Sequence, residues 1–136
     1  MKIIILIMLG LSLLQADYLR DNTKELVLDT TTNLIWQDDN DTKTLTKNWE
    51  DALIYCEAKS LGGFSDWRLA NKNELETLIN RSSSPMFSVV FQNNSGSYYW
   101  SSTTSAATTT SAWKVSFSGY GDVNAKTGTA YVLCVR

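Results

Sequence analysis

The sequence predicts an α+β domain: two helices packed on a small, twisted, mostly antiparallel sheet, with one disulfide. Three observations lead there. β-prone segments open the chain, two helix-patterned segments follow, and aromatic, alternating segments close it. The only two cysteines, Cys56 and Cys134, fall on the apolar stripe of the first helix pattern and in the last strand pattern. A chain of 136 residues has room for one domain and not for two full cores.

Residues 1–16 stand apart. Lys2 gives a positive start, Ile3 to Leu14 form an apolar run broken only by Gly10 and Ser12, and Gln15-Ala16 offers a small residue at a cut. This is the pattern of a secretory signal peptide. The run is shorter than the roughly 20 residues needed to span a bilayer. The alternatives are an uncleaved anchor or a buried helix. The expected domain is therefore residues 17–136, exported to the periplasm, cell surface or exterior, with no membrane insertion after cleavage. In an oxidising compartment an even cysteine count reads as a disulfide, and Cys56–Cys134 is the only intramolecular choice. Two separate buried thiols are the alternative.

Each element has a local reason. Leu26-Val27-Leu28-Asp29 and Asn33 to Gln37, separated by Thr30-Thr31-Thr32, read as a hairpin. Asp38 to Thr46 reads as a solvated polar loop. The first helix begins at Thr46 or Asn48, with Trp49, Ala52, Leu53 and Cys56 on one stripe, and Gly62-Gly63 stops it. The second begins at Asn71, where Asn71 and Glu74 make a capping-box pair, and buries Leu75, Leu78 and Ile79. Ser97 to Ser101 is a short aromatic strand. Trp113, Val115 and Phe117 alternate with Lys114, Ser116 and Ser118 as a half-buried strand. Gly119 to Asp122 reads as a turn, Tyr131 to Arg136 as the terminal strand, and Ser101 to Ala112 as an exposed loop.

The residues present exclude several chemistries. There is no histidine, so neither the commonest general base nor a Ser/His/Asp or Cys/His site can be built. Cysteines in a disulfide supply no thiolate. Helix acids such as Glu50, Asp51, Glu57, Glu74 and Glu76 read as solvated rather than as a paired-carboxylate site. Asp38, Asp39, Asn40 and Asp41 lack the turn glycine and the closing glutamate of a helix-loop-helix calcium site. No metal, cofactor or catalytic residue is expected. A net charge of −2 with scattered lysines gives no footprint for nucleic acid. Sequon-type triplets stand at Asn40, Asn80 and Asn93. Of the five tryptophans, Trp36, Trp49, Trp67, Trp100 and Trp113, at least four are expected in the core. Asp66 and Arg68, flanking Trp67, are expected to fix the turn through hydrogen bonds and an ion pair.

These blocks resemble one family in order and spacing. Val27 to Gln37 looks like an opening V-x-D-x-x-T-x-L-x-W signature, and Trp49 to Cys56 looks like its first helix. Gly62-Gly63-Phe64-Ser65-Asp66-Trp67-Arg68-Leu69 with Asn71 to Leu75 looks like its central G-G-x-x-D-W-R-L-P-x-x-x-E-L block. Tyr99 to Thr103, Ala112 to Phe117 and Tyr131 to Arg136 look like the last three. The family is the Lcl C-terminal domain family, named for a bacterial collagen-like adhesin. The resemblance implies a C-type-lectin-like fold, with Cys56–Cys134 as its bridge from first helix to last strand. It also implies extracellular or periplasmic ligand binding, which in the namesake includes sulfated polysaccharides and attachment. The chain departs from the pattern in having Ala70 where the family usually has proline. No collagen-like stretch occurs in it, and its acidic balance weakens a carry-over of polyanion binding. The Glu-Pro-Asn and Trp-Asn-Asp motifs of calcium-dependent lectins are missing.

The expected function is a non-enzymatic, exported binding module for a glycan or protein, adhesin-like, with variable loops Ser82–Ser97 and Thr103–Ser111 on a rigid core. Ser95, Tyr98, Thr104, Thr109 and Tyr120 are the candidate ligand contacts, and Trp36, Trp49, Gly63, Asp66, Trp67, Arg68, Trp100 and Trp113 the structural motif. A structural or homo-oligomeric subunit of an envelope complex is the second reading. An enzyme of the formylglycine-generating type is the third, and would need Cys56 and Cys134 as a reactive pair.

Overall fold

The computed structural model describes residues 17–85 and 87–136. The expected signal segment, residues 1–16, lies outside the described residues. In chain order the elements are β1 (Tyr18–Asp21), β2 (Leu26–Asp29), β3 (Ile35–Gln37), α1 (Asp41–Thr44), β4 (Thr46–Lys47), α2 (Trp49–Ala58), β5 (Arg68–Leu69), α3 (Lys72–Thr77), β6 (Tyr98–Thr104), β7 (Ser111–Ser116), β8 (Tyr120–Ala125), β9 (Ala130–Tyr131) and β10 (Cys134–Val135). The α+β class holds, but the single sheet expected from sequence is two. One has the order β1-β2-β3-β10-β5, the other β4-β9-β6-β7-β8. Every pairing is antiparallel except β6 with β9.

The terminal strand explains the division. It is not one strand but two, β9 in the second sheet and β10 in the first. Between them the side chains alternate between two buried clusters. Leu133 and Val135 pack with Val27, Trp36, Leu75 and Tyr99, whereas Val132 and Cys134 pack with Ala52, Cys56, Trp67 and Trp100. A run of β-formers that is buried on both faces is thereby shared by two cores and two sheets. The Cys56–Cys134 disulfide, with Cα atoms 5.5 Å apart, joins α2 to this crossing segment and closes a loop of 78 positions.

Both main helices start where their caps dictate. The Asn48 side chain accepts from the Asp51 N–H, and Asn71 and Glu74 form a reciprocal capping box. α2 ends at Ala58, before the glycines. Gly62 and Gly63 instead form a two-residue turn between Leu61 and Phe64, which exchange both backbone hydrogen bonds at 3.0 Å. Both glycines have positive φ, +62° and +83°, as a twist-matched hairpin turn requires. Trp67 then leads into a two-residue strand, β5, rather than directly into a helix.

Three further expectations are corrected. Gly119 to Asp122 is not a turn. The turn lies at Phe117–Gly119, and Tyr120–Ala125 is a full strand paired to β7 along six residues. The expected Ser101–Ala112 loop is shorter, because β6 continues to Thr104 and β7 begins at Ser111, with Ser101 and Ser105 buried. Finally, Asp38 to Thr46 holds α1 and is not a solvated loop (below). Of the tryptophans, Trp36, Trp67 and Trp100 are fully enclosed. Trp49 packs partly buried against the second cluster, and Trp113 is only half-buried, outside both.

Candidate functional site

The acidic stretch after β3 is a structural hub. Asp38 is completely buried. Its carboxylate accepts from Arg20 Nε at 2.6 Å and from the backbone N–H groups of Gln92 and Asn93 at 2.9 Å each. Its carbonyl accepts from Arg20 Nη2 and from Asn93 Nδ2. Asp39 is held by Lys59 at 2.8 Å and by Gln37 at 2.7 Å, and Asp41 accepts from the Tyr55 hydroxyl at 2.7 Å. Each acid is thus matched to a donor, which is how the fold tolerates acids at or near burial. Burial, helped by the bond to Asp41, pushes the Tyr55 phenol up to about 12. Burial alone would lower Lys59, but its bonds to Asp39 and Tyr55 outweigh that and raise it.

Asp66 and Arg68 do not pair with each other. Asp66 binds Arg136 in two hydrogen bonds, which hold its carboxyl below the ordinary range. Arg68 makes a bidentate pair with Glu74 at 2.6 and 2.7 Å. Burial would raise the Glu74 carboxyl, but Arg68 and the Asn71 N–H hold it below its usual value. Gly63 supplies the second positive φ of its turn. Two indole N–H groups tie distant segments, Trp49 to the Ser101 carbonyl and Trp100 to that of Lys47, and a third, Trp67 to the Phe64 carbonyl, closes the local turn. These motif residues build the scaffold.

The Asp38 hub pins the long loop after α3. Phe87 stacks on Phe117 and Phe91 packs against Phe87, Gln92 and Asn93 dock on Asp38, and the Ser95 N–H donates to the Tyr99 hydroxyl at 2.9 Å. That hydroxyl in turn donates to the Thr42 carbonyl at 2.7 Å. The loop therefore delivers the chain to Tyr98 in a fixed position.

At that end of the second sheet, register brings two tyrosines onto one face, above a buried Ser116. Tyr98 pairs with Ser116, and Ser116 pairs with Tyr120. Directly paired residues share a face, so both tyrosines stand on one side of β6-β7-β8. Two strand spacings separate them, about 10 Å. Lys114 and Asp122 continue the same face in the next row, whose third member, Trp100, is buried in the core. The Lys114 ammonium lies 4.3 Å from the Tyr98 ring centroid, an interaction worth about 0.5–1 kcal/mol at an exposed site. Tyr120 is 67% exposed, one of four large apolar or aromatic side chains so exposed among the described residues.

The five candidate contacts do not form one site. Ser95, Tyr98 and Tyr120 lie at this end. Thr104 ends β6, about 20 Å along the strand from Tyr98, and Thr109 lies in the exposed turn beyond it. Sequence reasoning missed Lys114 and Asp122 as site residues. The alternation of β7 already placed Lys114 outward, but Asp122 joins it only through the unforeseen strand β8.

The fold and this surface define a disulfide-bridged α+β domain with an aromatic, charge-balanced face and no helix, among the described residues, long and apolar enough to cross a membrane. The profile of the Lcl C-terminal domain matches residues 25–136. The chain belongs to that family. Comparison with curated proteins gives no match.

Proposed function

We propose that the chain is an exported, non-enzymatic binding module of C-type-lectin-like fold that recognises glycans, in the manner of an adhesin, through the Tyr98–Tyr120 face. The observation that carries this is the pair of tyrosines at about 10 Å on one sheet face, with Ser116 between them and the Lys114 ammonium and Asp122 carboxylate in the adjacent row. Tyrosine faces stack on sugar rings while their hydroxyls remain wet, and an interval of two strands suits alternate rings of an extended sugar chain. Lys114 and Asp122 cancel in charge, which favours a neutral glycan over a polyanion. Family membership supports an extracellular, adhesin-like role, and the buried disulfide supports export.

The test is a panel of immobilised neutral and sulfated glycans probed with oxidised protein. Tyr120→Ala is expected to weaken neutral-glycan binding at least about tenfold, as loss of a central aromatic anchor does, with no change in melting temperature. Thr109→Ala should leave binding intact. Binding that ignores Tyr120, or that selects sulfated chains alone, would refute the assignment.

One observation favours assembly as a second reading. β8 ends its sheet, so the outer backbone edge of six residues has no strand neighbour among the described residues. Such edges accept strands from partners. Light scattering that finds a stable oligomer, disrupted by proline at Val123, would support it; a monomer insensitive to that change would not.

A further inference from the structure

The pinned loop separates two pockets of opposite chemistry. On one side lies a polar basin of about 450 Å³, lined by Arg20, Asn22, Glu25, Lys43, Gln92 and Asn93. On the other lies an apolar cleft of about 340 Å³, lined by Pro85, Phe87, Asn94, Gly96, Phe117 and Ser118. Asn93 belongs to the first and Asn94 to the second. Consecutive residues thus line the two pockets, which meet along this segment of the loop.

We propose that the two pockets together bind one amphiphile, an uncharged, hydroxyl-rich headgroup carrying a linear alkyl chain, laid across the ridge at Asn93–Asn94. The head is specified by the basin. Arg20 is neutralised by the buried Asp38 behind it, and Lys43 and Glu25 are of opposite sign. What the basin offers is donors and acceptors without net charge: Asn22, Gln92 and Asn93 each spend one amide atom on bonds within the protein and present the other, which suits hydroxyls rather than a phosphate or carboxylate. The tail is specified by the cleft. Phe87 and Phe117 stack at 4.2 Å between centroids and form its apolar wall. Asp38 holds the ridge rigid by accepting from two consecutive backbone N–H groups, so both pockets are present before any ligand arrives. The cleft adjoins the tyrosine face through the Ser118–Ser116 hydrogen bond but shares neither tyrosine with it, so the two readings are tested apart.

The test is a series of methyl, pentyl, hexyl and heptyl β-glucosides, kept monomeric, alongside the matching alcohols. Backbone amide shifts of the oxidised protein are followed by NMR. Residues 92–96 should shift together with Phe87 and Ser118, and affinity should rise about fourfold for each methylene that enters the cleft. Alcohols should bind at least about tenfold more weakly than their glucosides, for want of the headgroup's hydrogen bonds. Gln92→Ala keeps the backbone N–H on Asp38 and should erase the glucoside's advantage over the alcohol. Ser118→Leu, at an exposed turn position, should fill the cleft and flatten the chain-length dependence. Tyr120→Ala should change neither, which separates this site from the glycan face. No binding, shifts confined to one pocket, affinity independent of chain length, alcohols equal to glucosides, or effects that follow Tyr120 would each overturn the proposal.

Discussion

Removing the Asp38 carboxylate should cost the fold more than any other single surface-to-core polar change described above. The side chain is fully buried, and its partner Arg20 has a side chain only 9% exposed. Asp38→Ala leaves a guanidinium that cannot deprotonate, together with the N–H groups of Gln92 and Asn93, without their acceptor. Breaking one partner of a buried ion pair costs about 3–5 kcal/mol. Arg20 keeps the Asn22 side chain and the Asp38 carbonyl as acceptors, which points to the lower end, about 3 kcal/mol. For a domain of this size that is a fall in melting temperature of roughly 12 °C. Denaturant unfolding gives the energy, and native-state hydrogen exchange gives the location, since the Gln92 and Asn93 amides should lose protection. Adding Arg20→Met to Asp38→Ala should recover part of the loss, because the stranded charge is removed. A loss below about 1 kcal/mol, the scale of an ordinary exposed pair, would refute the reasoning. So would unchanged exchange at Gln92 and Asn93.

Three further outcomes concern ionisation, the disulfide and the glycine turn. Burial, joined by the Asp29 charge at Tyr18 and by the Asp41 hydrogen bond at Tyr55, pushes both phenols up to about 12 from 10.0. A folded value above the unfolded one gives stability that is complete below pH 10 and declines as pH rises towards 12. Tyrosinate absorbance should show these groups titrating late, and Tyr55→Phe should remove one of them. Replacing Cys56 and Cys134 together by serine should cost up to about 4.5 kcal/mol in urea unfolding, from the closed loop of 78 positions. Gly62→Ala should destabilise more than Gly63→Ala in thermal melts: both force positive φ on a side chain, but only at Gly62 does the new Cβ meet Leu26 Cδ1, at 2.5 Å.

What was legible in the sequence is what is decided locally. Asn48 and Asn71 cap their helices from three residues away, and the Leu26–Asp29 and Ile35–Gln37 strands pair across a short turn. The cysteine pairing followed from counting. What was not legible depends on distant partners. Arg20 lies 18 residues from Asp38, and Gln92 and Asn93 lie 54 and 55 away. β8 carries Gly121, Asp122 and Asn124, all poor β-formers, and is a strand because β7 offers it a complete ladder. Asp66 and Arg68 looked like one pair because they are neighbours. In an extended segment their side chains point the same way but reach different elements, the C-terminal Arg136 and α3. The candidate site was legible in Tyr98 and Tyr120 as residue types. Their alignment came from register, which the sequence does not display.

The same hub decides where this scaffold can vary. The whole of Ser82–Ser97 is expected from composition to be a tolerant loop, yet its second half is fastened at Phe87, Phe91, Gln92, Asn93 and Ser95. Only the stretch Arg81–Pro85 is exposed throughout, and at the opposite end only Ala106–Thr110. Substitution there leaves every buried hydrogen bond of the hub in place, so these two segments are where sequence can change at little cost. The sequon at Asn93 obeys the same logic. Its amide nitrogen donates to the Asp38 carbonyl at 2.6 Å, and a glycan on that nitrogen would have to displace the bond that seats the ridge. Asn40, exposed at the start of α1, carries no such duty to the hub. Variation and modification are therefore confined by one buried carboxylate to exposed segments away from the hub, while the ridge and the residues leading into Tyr98 stay fixed.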